Sequence, residues 1–444
     1  MLCAGELMIV LDTTIVNVAL PSIQASLRFT ESALVWVVNA YMLTYGGFLL
    51  LGGRLGDLYG KRRLFLAGIT LFTAASLVCG MAGTQAVLVA ARAVQGLGGA
   101  VVSAIALSLI MNIFTEAGER AKAMGIYGFV CAGGGSIGVL AGGVLTSALS
   151  WHWVFLVNLP IGVAVYAFCM KLLSKDAAGA AGKLDVGGAV TITLSLMLAV
   201  YGIVDGNQAG WSSPQTLSLL GGAVVLLLVF LALEAKIAAP LMPLSLFRVK
   251  TVAAANILGV FWAAAMFAWF FLSALYMQTV LGYDPMQIGL AFLPSNLIMA
   301  AFSIWLSAKM VMRFGIRVPI VAGMLLSAAG LGLFALWPQN ASFLLHVMPG
   351  MLLLGIGCGM ALNPVMLAAM QDVAPDQSGL ASGVVNTSFM MGGALGLAIL
   401  ASLSERAGYH AAFAVAALCA LVAAGAAAWL PRAAHAGKEV EYAH

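Results

Sequence analysis

Two charges sit where charge is costly. Asp12 lies in the apolar run LMIVLDTTIVNVAL, and Arg92 in VLVAARAVQGLGGAVV. At about 1.5 Å of rise per helical residue, Asp12 falls roughly 18 Å from the chain start, near the middle of a bilayer. A carboxylate there must pair, reach water or take a proton. Burial disfavours the charged form of a carboxyl, so an acidic group whose exposure changes can load and release a proton. The plainer alternative is an Asp that only hydrogen-bonds a neighbouring helix. Arg92 and Gln95 are spaced i, i+3, with Gly96 and Gly99 on the same side, so polar groups and a close-packing groove share one helix face. Arg92 stays charged and can bind a carboxylate in one conformation and release it in another, or it can simply bond backbone carbonyls.

These residues need a membrane-spanning scaffold, and the composition supplies one. Of 444 residues, 63% are hydrophobic and 8% are charged. Soluble domains carry about 25% charged residues, so lipid must be the solvent for most of this chain. A net charge of +4 argues against a nucleic-acid partner. The six cysteines fall in apolar runs without a CxxC pair and read as small fillers rather than metal or redox groups. There is no GxxxxGK[ST] loop, no nucleophile–base set and no cluster of metal ligands, so the chain reads as neither an ATPase nor an enzyme. No basic segment precedes the first apolar run, which begins at Met1 and extends to Pro21, so no cleavable signal is expected.

Apolar runs predict spans near 1–22, 35–56, 64–83, 86–112, 123–148, 153–173, 186–205, 215–234, 252–276, 287–310, 318–337, 343–368, 379–402 and 410–430, fourteen in all. Of the 20 Lys and Arg, all but Arg28, Arg406 and Arg92 fall in the C-terminal tail or in connections that follow even-numbered spans. That skew places both termini in the cytoplasm. The chain also repeats itself: Gly125, Gly134, Gly135 and Gly138 recur 258 residues later as Gly383, Gly392, Gly393 and Gly396, and Gly96 and Gly98 recur at 259 as Gly355 and Gly357. YGKR at 59–62 is echoed by FGIR at 314–317. Two parallel repeats of six helices separated by two inserted ones divide the chain as 1–175, 176–240 and 241–432, with a cytoplasmic tail at 433–444. Such repeats typify transporters that rock two halves around a central site.

At these residues the chain resembles the major facilitator superfamily, and more narrowly the fourteen-helix drug:proton antiporters. The resemblance runs over nearly the whole length and is strongest across 11–162. LDTTIVNVALP at 11–21 matches the family's first helix with its acidic residue, Asp12. GRLGDLYGKRR at 53–63 matches the loop between helices 2 and 3, to which the family assigns gating through Gly53, Gly56, Asp57, Gly60, Lys61 and Arg62. Leu58 stands where a basic residue is usual, and in the second copy Met312 replaces the Asp. RAVQGLGGA at 92–100 matches the motif whose arginine the family implicates in proton transfer. Around GSIGVLAGG at 135–143, Gly134, Gly138 and Gly142 keep the four-residue spacing of the family's antiporter motif, to which Gly143 is also assigned, with Val139 in place of its proline. WHWVFLVNLPIG at 151–162 matches the entry to helix 6, with His152 where Arg is common; it reads chiefly as an interfacial anchor.

The resemblance implies a proton-coupled exporter of drugs or other lipophilic and amphiphilic compounds, working by alternating access in a bacterial-type inner membrane. It implies a monomer with no cofactor beyond the proton gradient. A dedicated exporter of one metabolite or antibiotic is the alternative within transport. A receptor or assembly factor that kept the fold is the alternative outside it. Polar and aromatic residues within the spans are the candidates for a substrate cavity: Asn17, Asn39, Tyr41, Tyr45, Gln95, Tyr127, Asn256, Trp262, Trp269, Gln278, Asn296, Asn363 and Asn386. One negative site with aromatic walls suits lipophilic cations, and equally neutral amphiphiles.

Overall fold

The structure is a computed structural model that describes residues 2–113, 117–173, 185–237, 240, 242–338, 341–370 and 378–430. The side chain of Asp57, the segment APDQSG except for its last two residues, and the tail at 433–444 lie outside the described residues. Every element among the described residues is helical, as a bilayer requires of a chain that must satisfy its backbone internally. The first part holds α1 (Leu2–Leu27), α2 (Glu31–Tyr59), α3 (Lys61–Gly80), α4 (Gln85–Ile113), α5 (Ala117–Ala148), a single turn α6 (Trp153–Leu156) and α7 (Asn158–Leu172). Next come α8 (Val186–Ala209) and α9 (Pro214–Lys236). The last part holds α10 (Lys250–Thr279), α11 (Pro285–Ala301), α12 (Ser307–Phe314), α13 (Arg317–Ala335), α14 (Met348–Met370), α15 (Ser378–Ala407) and α16 (Tyr409–Ala427).

Among the described residues, 12 helices are long and apolar enough to cross a membrane. The other two expected spans, 123–148 and 287–310, fall on α5 and α11, whose apolar stretches Ile137–Ala148 and Pro285–Ala301 are shorter. A π-helical turn at Phe302–Leu306 joins α11 to α12. The first span is longer than its sequence suggests. Pro21 does not end it; α1 continues to Leu27, and Gln85 Nε2 takes the free carbonyls of Leu27 and Arg28 at 3.0 and 3.1 Å. Large apolar side chains are exposed along α7 (Val163, Phe168, Leu172) and α9 (Leu217, Val225, Leu228), a surface that only lipid tolerates.

The sequence repeat has a physical basis. In the first part α4 packs between α2 and α3; in the last part α14 packs between α11 and α13. A Cβ on Gly98 would stand 2.7 Å from the Phe72 amide nitrogen of α3, and one on Gly357 would stand 2.5 Å from the Gly323 carbonyl of α13. Gly96 meets the Tyr41 carbonyl of α2, and its counterpart Gly355 meets the Ser295 carbonyl of α11. Likewise Gly138 brings α5 onto α1, and Gly396 brings α15 onto α10. Each pair of repeated glycines removes a side chain where two backbones touch, which is how helices associate when lipid offers no hydrophobic drive.

The two sets of helices meet along α5·α11 and α2·α15. Asn39 Nδ2 of α2 donates to the Ala394 carbonyl of α15 at 2.8 Å. At the end of the bundle opposite the basic residues Lys61, Arg62 and Arg63, Tyr409 of α16 donates its hydroxyl to Glu31 Oε1 of α2 at 2.6 Å. The pair α8 and α9, in the segment expected as an insertion, lies against α2 and α15. Asn207 of α8 bonds the Ser402 carbonyl and Glu405 of α15 at 3.1 and 3.0 Å. An apolar cavity of about 240 Å³ remains at this seam, walled by Gly47, Ile192, Phe230, Met242 and Met391.

Two outcomes follow from this packing. Gly98→Leu forces α3 and α4 apart and destabilises the protein by about 1–3 kcal/mol, the usual cost of overpacking; the detergent-purified variant should melt several degrees lower, and an unchanged melting curve would show that the contact is slack. Tyr409→Phe removes the bond to Glu31, worth about 1–2 kcal/mol, together with a longer contact to Thr279 Oγ1 of α10 at 3.4 Å. Spin labels on α2 and α16 at that end should then show a larger long-distance population than in the parent protein.

Candidate functional site

The two buried charges meet. Arg92 Nη1 donates to Asp12 Oδ2 at 2.5 Å, with the side chains 1% and 0% exposed. The pair is sheathed by side-chain amides and a hydroxyl from α3, α4 and α7, and by a carbonyl and an aromatic ring from α2. Gln95 Nε2 donates to Asp12 Oδ1 at 2.7 Å, and Asn158 Nδ2, from the first residue of α7, donates to the same atom at 2.9 Å. Gln95 Nε2 also donates to Ser76 Oγ of α3 at 2.8 Å, while Gln95 Oε1 accepts from Arg92 Nη1 at 2.7 Å. Arg92 Nε donates to the Val37 carbonyl of α2 at 2.8 Å, and its guanidinium carbon lies 4.4 Å from the centre of the Tyr41 ring. Asp12 thus accepts from three donors, and the arginine is shared among a carboxylate, an amide, a carbonyl and an aromatic face. A buried ion pair persists only when its remaining hydrogen-bonding capacity is met in this way.

The i, i+3 reading of Arg92 and Gln95 is correct in a strong sense: both side chains reach the same carboxylate. Sequence reasoning missed Ser76 and Asn158. Asn158 carried a signal, an amide in the apolar run VFLVNLPIG; Ser76 carried none, since a lone Ser in a membrane helix usually bonds its own backbone, as this one also does through the Phe72 carbonyl at 2.8 Å. Glu6 was also missed as a site residue. It is 5% exposed, accepts from Ser103 Oγ at 2.8 Å, and is hydrogen-bonded by Tyr127.

The expected cavity residues are not one constellation. Tyr41 and Gln95 join the ion pair, and Tyr45 stacks on Tyr41 with ring centres 5.7 Å apart. Asn39 ties α2 to α15. Asn17 and Asn256 bond carbonyls of their own helices, Thr13 and Val252, at 3.0 and 2.8 Å. Asn363 bonds the Ser303 carbonyl at 2.8 Å, and Trp269 Nε1 donates to Met351 Sδ at 3.3 Å. Trp262 packs edge-on against Phe389 at 5.4 Å. Asn386 is half-buried on α15. Asn296 is 1% exposed, and neither of its amide atoms has a hydrogen-bond partner among the described residues; Gln278 Oε1 is likewise buried without one.

The segment 53–63, expected as a loop, is almost entirely helix. α2 runs through Tyr59 and α3 starts at Lys61, so the connection is Gly60 alone, at φ 99°, a conformation that a side chain would strain. Gly53 and Gly56 face Ala104 and Ile105 of α4 and serve packing. Lys61 is half-buried, and Arg62 Nη2 donates to the Met170 carbonyl of α7 at 2.9 Å, fastening the turn to its own set of helices. Asp57 cannot be placed, because its side chain is outside the described residues. The glycines of the expected antiporter motif divide between two faces. Gly134, Gly138 and Gly142 lie against Val10, Leu11 and Ile15 of α1, whereas Gly143 lies against Pro285 and Gly289 of α11, across the seam. Val139 is fully buried and α5 is continuous through it. His152 stacks on Trp151 at 3.8 Å, and partial burial lowers its pKa, which favours an anchor.

The profile of the Major Facilitator Superfamily matches residues 2–396 and 257–442. The chain is 38% identical over 406 residues to the puromycin resistance protein pur8 of Streptomyces alboniger, covering 91% of this chain and 80% of that protein. It is 38% identical over 406 residues to the cephamycin export protein CmcT of Amycolatopsis lactamdurans, covering 90% and 83%. To the multidrug resistance protein Stp of Mycobacterium tuberculosis it is 37% identical over 401 residues, covering 90% and 74%. Among solved structures, the inward-open xylose transporter XylE of E. coli superposes with a TM-score of 0.67 at 15% identity, over 98% of this chain and 96% of that one. Read with the glycine repeat and the helix order, these matches establish that the chain belongs to the major facilitator superfamily.

Proposed function

We propose that the protein is a secondary active exporter in which proton entry drives the exit of lipophilic or amphiphilic compounds, with Asp12 as the proton carrier and Arg92 as its alternating partner. The observation that carries this reading is the buried Asp12–Arg92 pair at 2.5 Å. A proton added to Asp12 Oδ2 takes the position now held by the Arg92 N–H. Protonation and pairing therefore exclude each other, and each state of the carboxyl demands a different position of the guanidinium. Arg92 also holds the Val37 carbonyl and lies over the Tyr41 ring, both on α2, and α2 crosses to α15 through Asn39. Loading a proton thus acts on the seam along which the segments 1–175 and 241–432 would rock, with 176–240 as a lateral pair. On the lysine and arginine distribution, both termini and the Gly60 turn face the cytoplasm; the proposed location is the cytoplasmic membrane, with one chain as the working unit.

The relatives' names, puromycin resistance, cephamycin export and lincomycin resistance, point to antibiotic-sized amphiphiles as the substrate class. Asn296, with its unsatisfied amide, and the Trp262–Phe389 pair on the opposite set of helices are the proposed substrate contacts. A single dedicated antibiotic is the narrower reading of the same names.

In proteoliposomes with an imposed pH gradient, tested with puromycin, lincomycin and cationic and neutral dyes, the parent protein should move at least one substrate against its gradient, and Asp12→Asn should not. Driven transport by Asp12→Asn equal to the parent's would sink the proton role of Asp12, and absence of flux with every substrate would sink the exporter reading. Arg92→Lys cannot bond Asp12, Gln95 and Val37 together, because an ammonium lacks the planar fork. Losing one hydrogen bond to a charged group costs about 1.5–3 kcal/mol, so driven transport should fall about ten- to a hundredfold, measured in the same vesicles.

A further inference from the structure

A second carboxyl on α1 stands in the protein interior, with no cation paired to it among the described residues. Glu6 is 5% exposed, and Ser103 and Tyr127 supply its hydrogen bonds; among the described residues it makes no ion pair. A buried carboxylate without a counter-charge is destabilising, whereas a carboxylic acid there is not. Six residues separate Glu6 from Asp12, about 9 Å along the helix axis. Glu6 is on the side nearer the basic end.

The space between the two carboxyls is lined along one face of α4. Arg92, Gln95, Gly99 and Ser103 follow one another at spacings of three and four and form a single stripe. Gln95 bonds Asp12 and Ser103 bonds Glu6. Between them, at Gly99, stands the Tyr41 hydroxyl of α2: a Cβ on Gly99 would lie 3.0 Å from it. That hydroxyl is fully buried and has no hydrogen-bond partner among the described residues. Gly99 itself lies about 6 Å along α4 from Gln95 and about 6 Å from Ser103, so the hydroxyl beside it stands at the level between the two carboxyls, where ordered water would complete the path. An unpaired buried hydroxyl is what such a chain of waters needs to connect with.

We infer that Glu6 is a second proton station, linked to Asp12 through the Tyr41 hydroxyl and bridging water, and that it delivers the proton to the basic end of the bundle. The step balances as a transfer between carboxyls. Protonated Asp12 gives its proton to the chain, Tyr41 passes one on and receives one, and the Glu6 carboxylate ends as the acid. Asp12 is left as the carboxylate that Arg92 binds, and Glu6 then releases its proton to water. Among the described side chains, the titratable groups that interact with Glu6 are Cys3 on its own helix, Tyr41 on α2 and Tyr127 on α5. From α4 it meets Ser103, while Arg92 is turned to Asp12. Lys250 and Tyr276 lie towards the ends of α10, Tyr166, Cys169 and Lys171 lie on α7, and α6 and α11 carry no ionisable residue.

This inference rests on the proposed proton coupling, and the test separates the two. In pH-difference infrared spectra of the purified protein, Glu6→Gln should remove one carboxylic C=O band and Asp12→Asn a different one. In vesicles, the ratio of gradient-driven transport to substrate exchange at equal pH should fall about tenfold or more in Glu6→Gln, fall less in Tyr41→Phe, and recover in part in Glu6→Asp. A Glu6→Gln protein with the parent's ratio and the parent's infrared bands overturns the station. So does a loss of exchange in step with driven transport, which would make Glu6 part of the substrate path or the packing. If Asp12→Asn transports normally, the coupling reading fails, and the infrared band still decides whether Glu6 takes a proton.

Discussion

An ion pair at the centre of a membrane bundle sets terms for everything around it. Neither Asp12 nor Arg92 can reach water, so every donor and acceptor they carry has to be met by protein. Meeting them takes Val37 and Tyr41 from α2, Ser76 from α3, Gln95 from α4 and Asn158 from α7. Five helices are thereby fixed in rotation about their axes, since turning any one of them by a third of a turn would strand a polar group in a low-dielectric interior. The α6 turn and the short break before α7 have their reason here: they bring Asn158 to the carboxylate.

Close approach makes that convergence possible, and glycine makes the approach. Gly96 and Gly98 follow Arg92 by four and six residues on α4 and let α2 and α3 come near enough for Val37 and Ser76 to bond. The same glycines recur at Gly355 and Gly357, so the same helix pairs close in the second set. The polar cargo does not recur. At the offset of that glycine repeat, Arg92 corresponds to Met351, which accepts a hydrogen bond from Trp269 instead of holding a carboxylate. The scaffold is symmetric and the charge chemistry is not, so a change of protonation originates on one side of the seam.

This division explains what the sequence made legible. Apolar runs and the glycine repeat are signals summed over many residues: the runs gave the helical class, and the repeat reads correctly through Gly98, Gly357 and the helix order. Asp12, Arg92 and Gln95 stood out because charge and amide are rare in apolar runs. What failed to show was partnership. Whether an Asn in a helix bonds its own backbone, as Asn17 and Asn256 do, or crosses to another helix, as Asn39, Asn158 and Asn363 do, depends on rotation about the helix axis, which residue type does not encode. The expected loop at 53–63 misled for a similar reason: a run of glycine and charge looks like a connection, yet Gly53 and Gly56 are packing residues and Gly60 alone makes the turn. Glu6 is close to the chain start, where burial is not expected; its burial comes from α4 and α5 folding over it, through Ser103 and Tyr127.

The asymmetry also bears on how an exporter of this design would change substrates. On the proposed reading, the proton works through α1 and α4, and its effect leaves that side through α2, by the Asn39–Ala394 and Glu31–Tyr409 bonds. The proposed substrate contacts, Asn296 and the Trp262–Phe389 pair, lie on α10, α11 and α15, across the seam. Substrate and proton then need not compete for one carboxylate; they communicate through a movement both depend on, as any coupling between separate sites must. Aromatic and amide residues on those helices can be exchanged without touching a buried charge, so recognition is free to vary while the ion pair stays fixed. An arrangement in which the substrate neutralised Asp12 directly would lack that freedom, since each new substrate would have to satisfy the same buried charge.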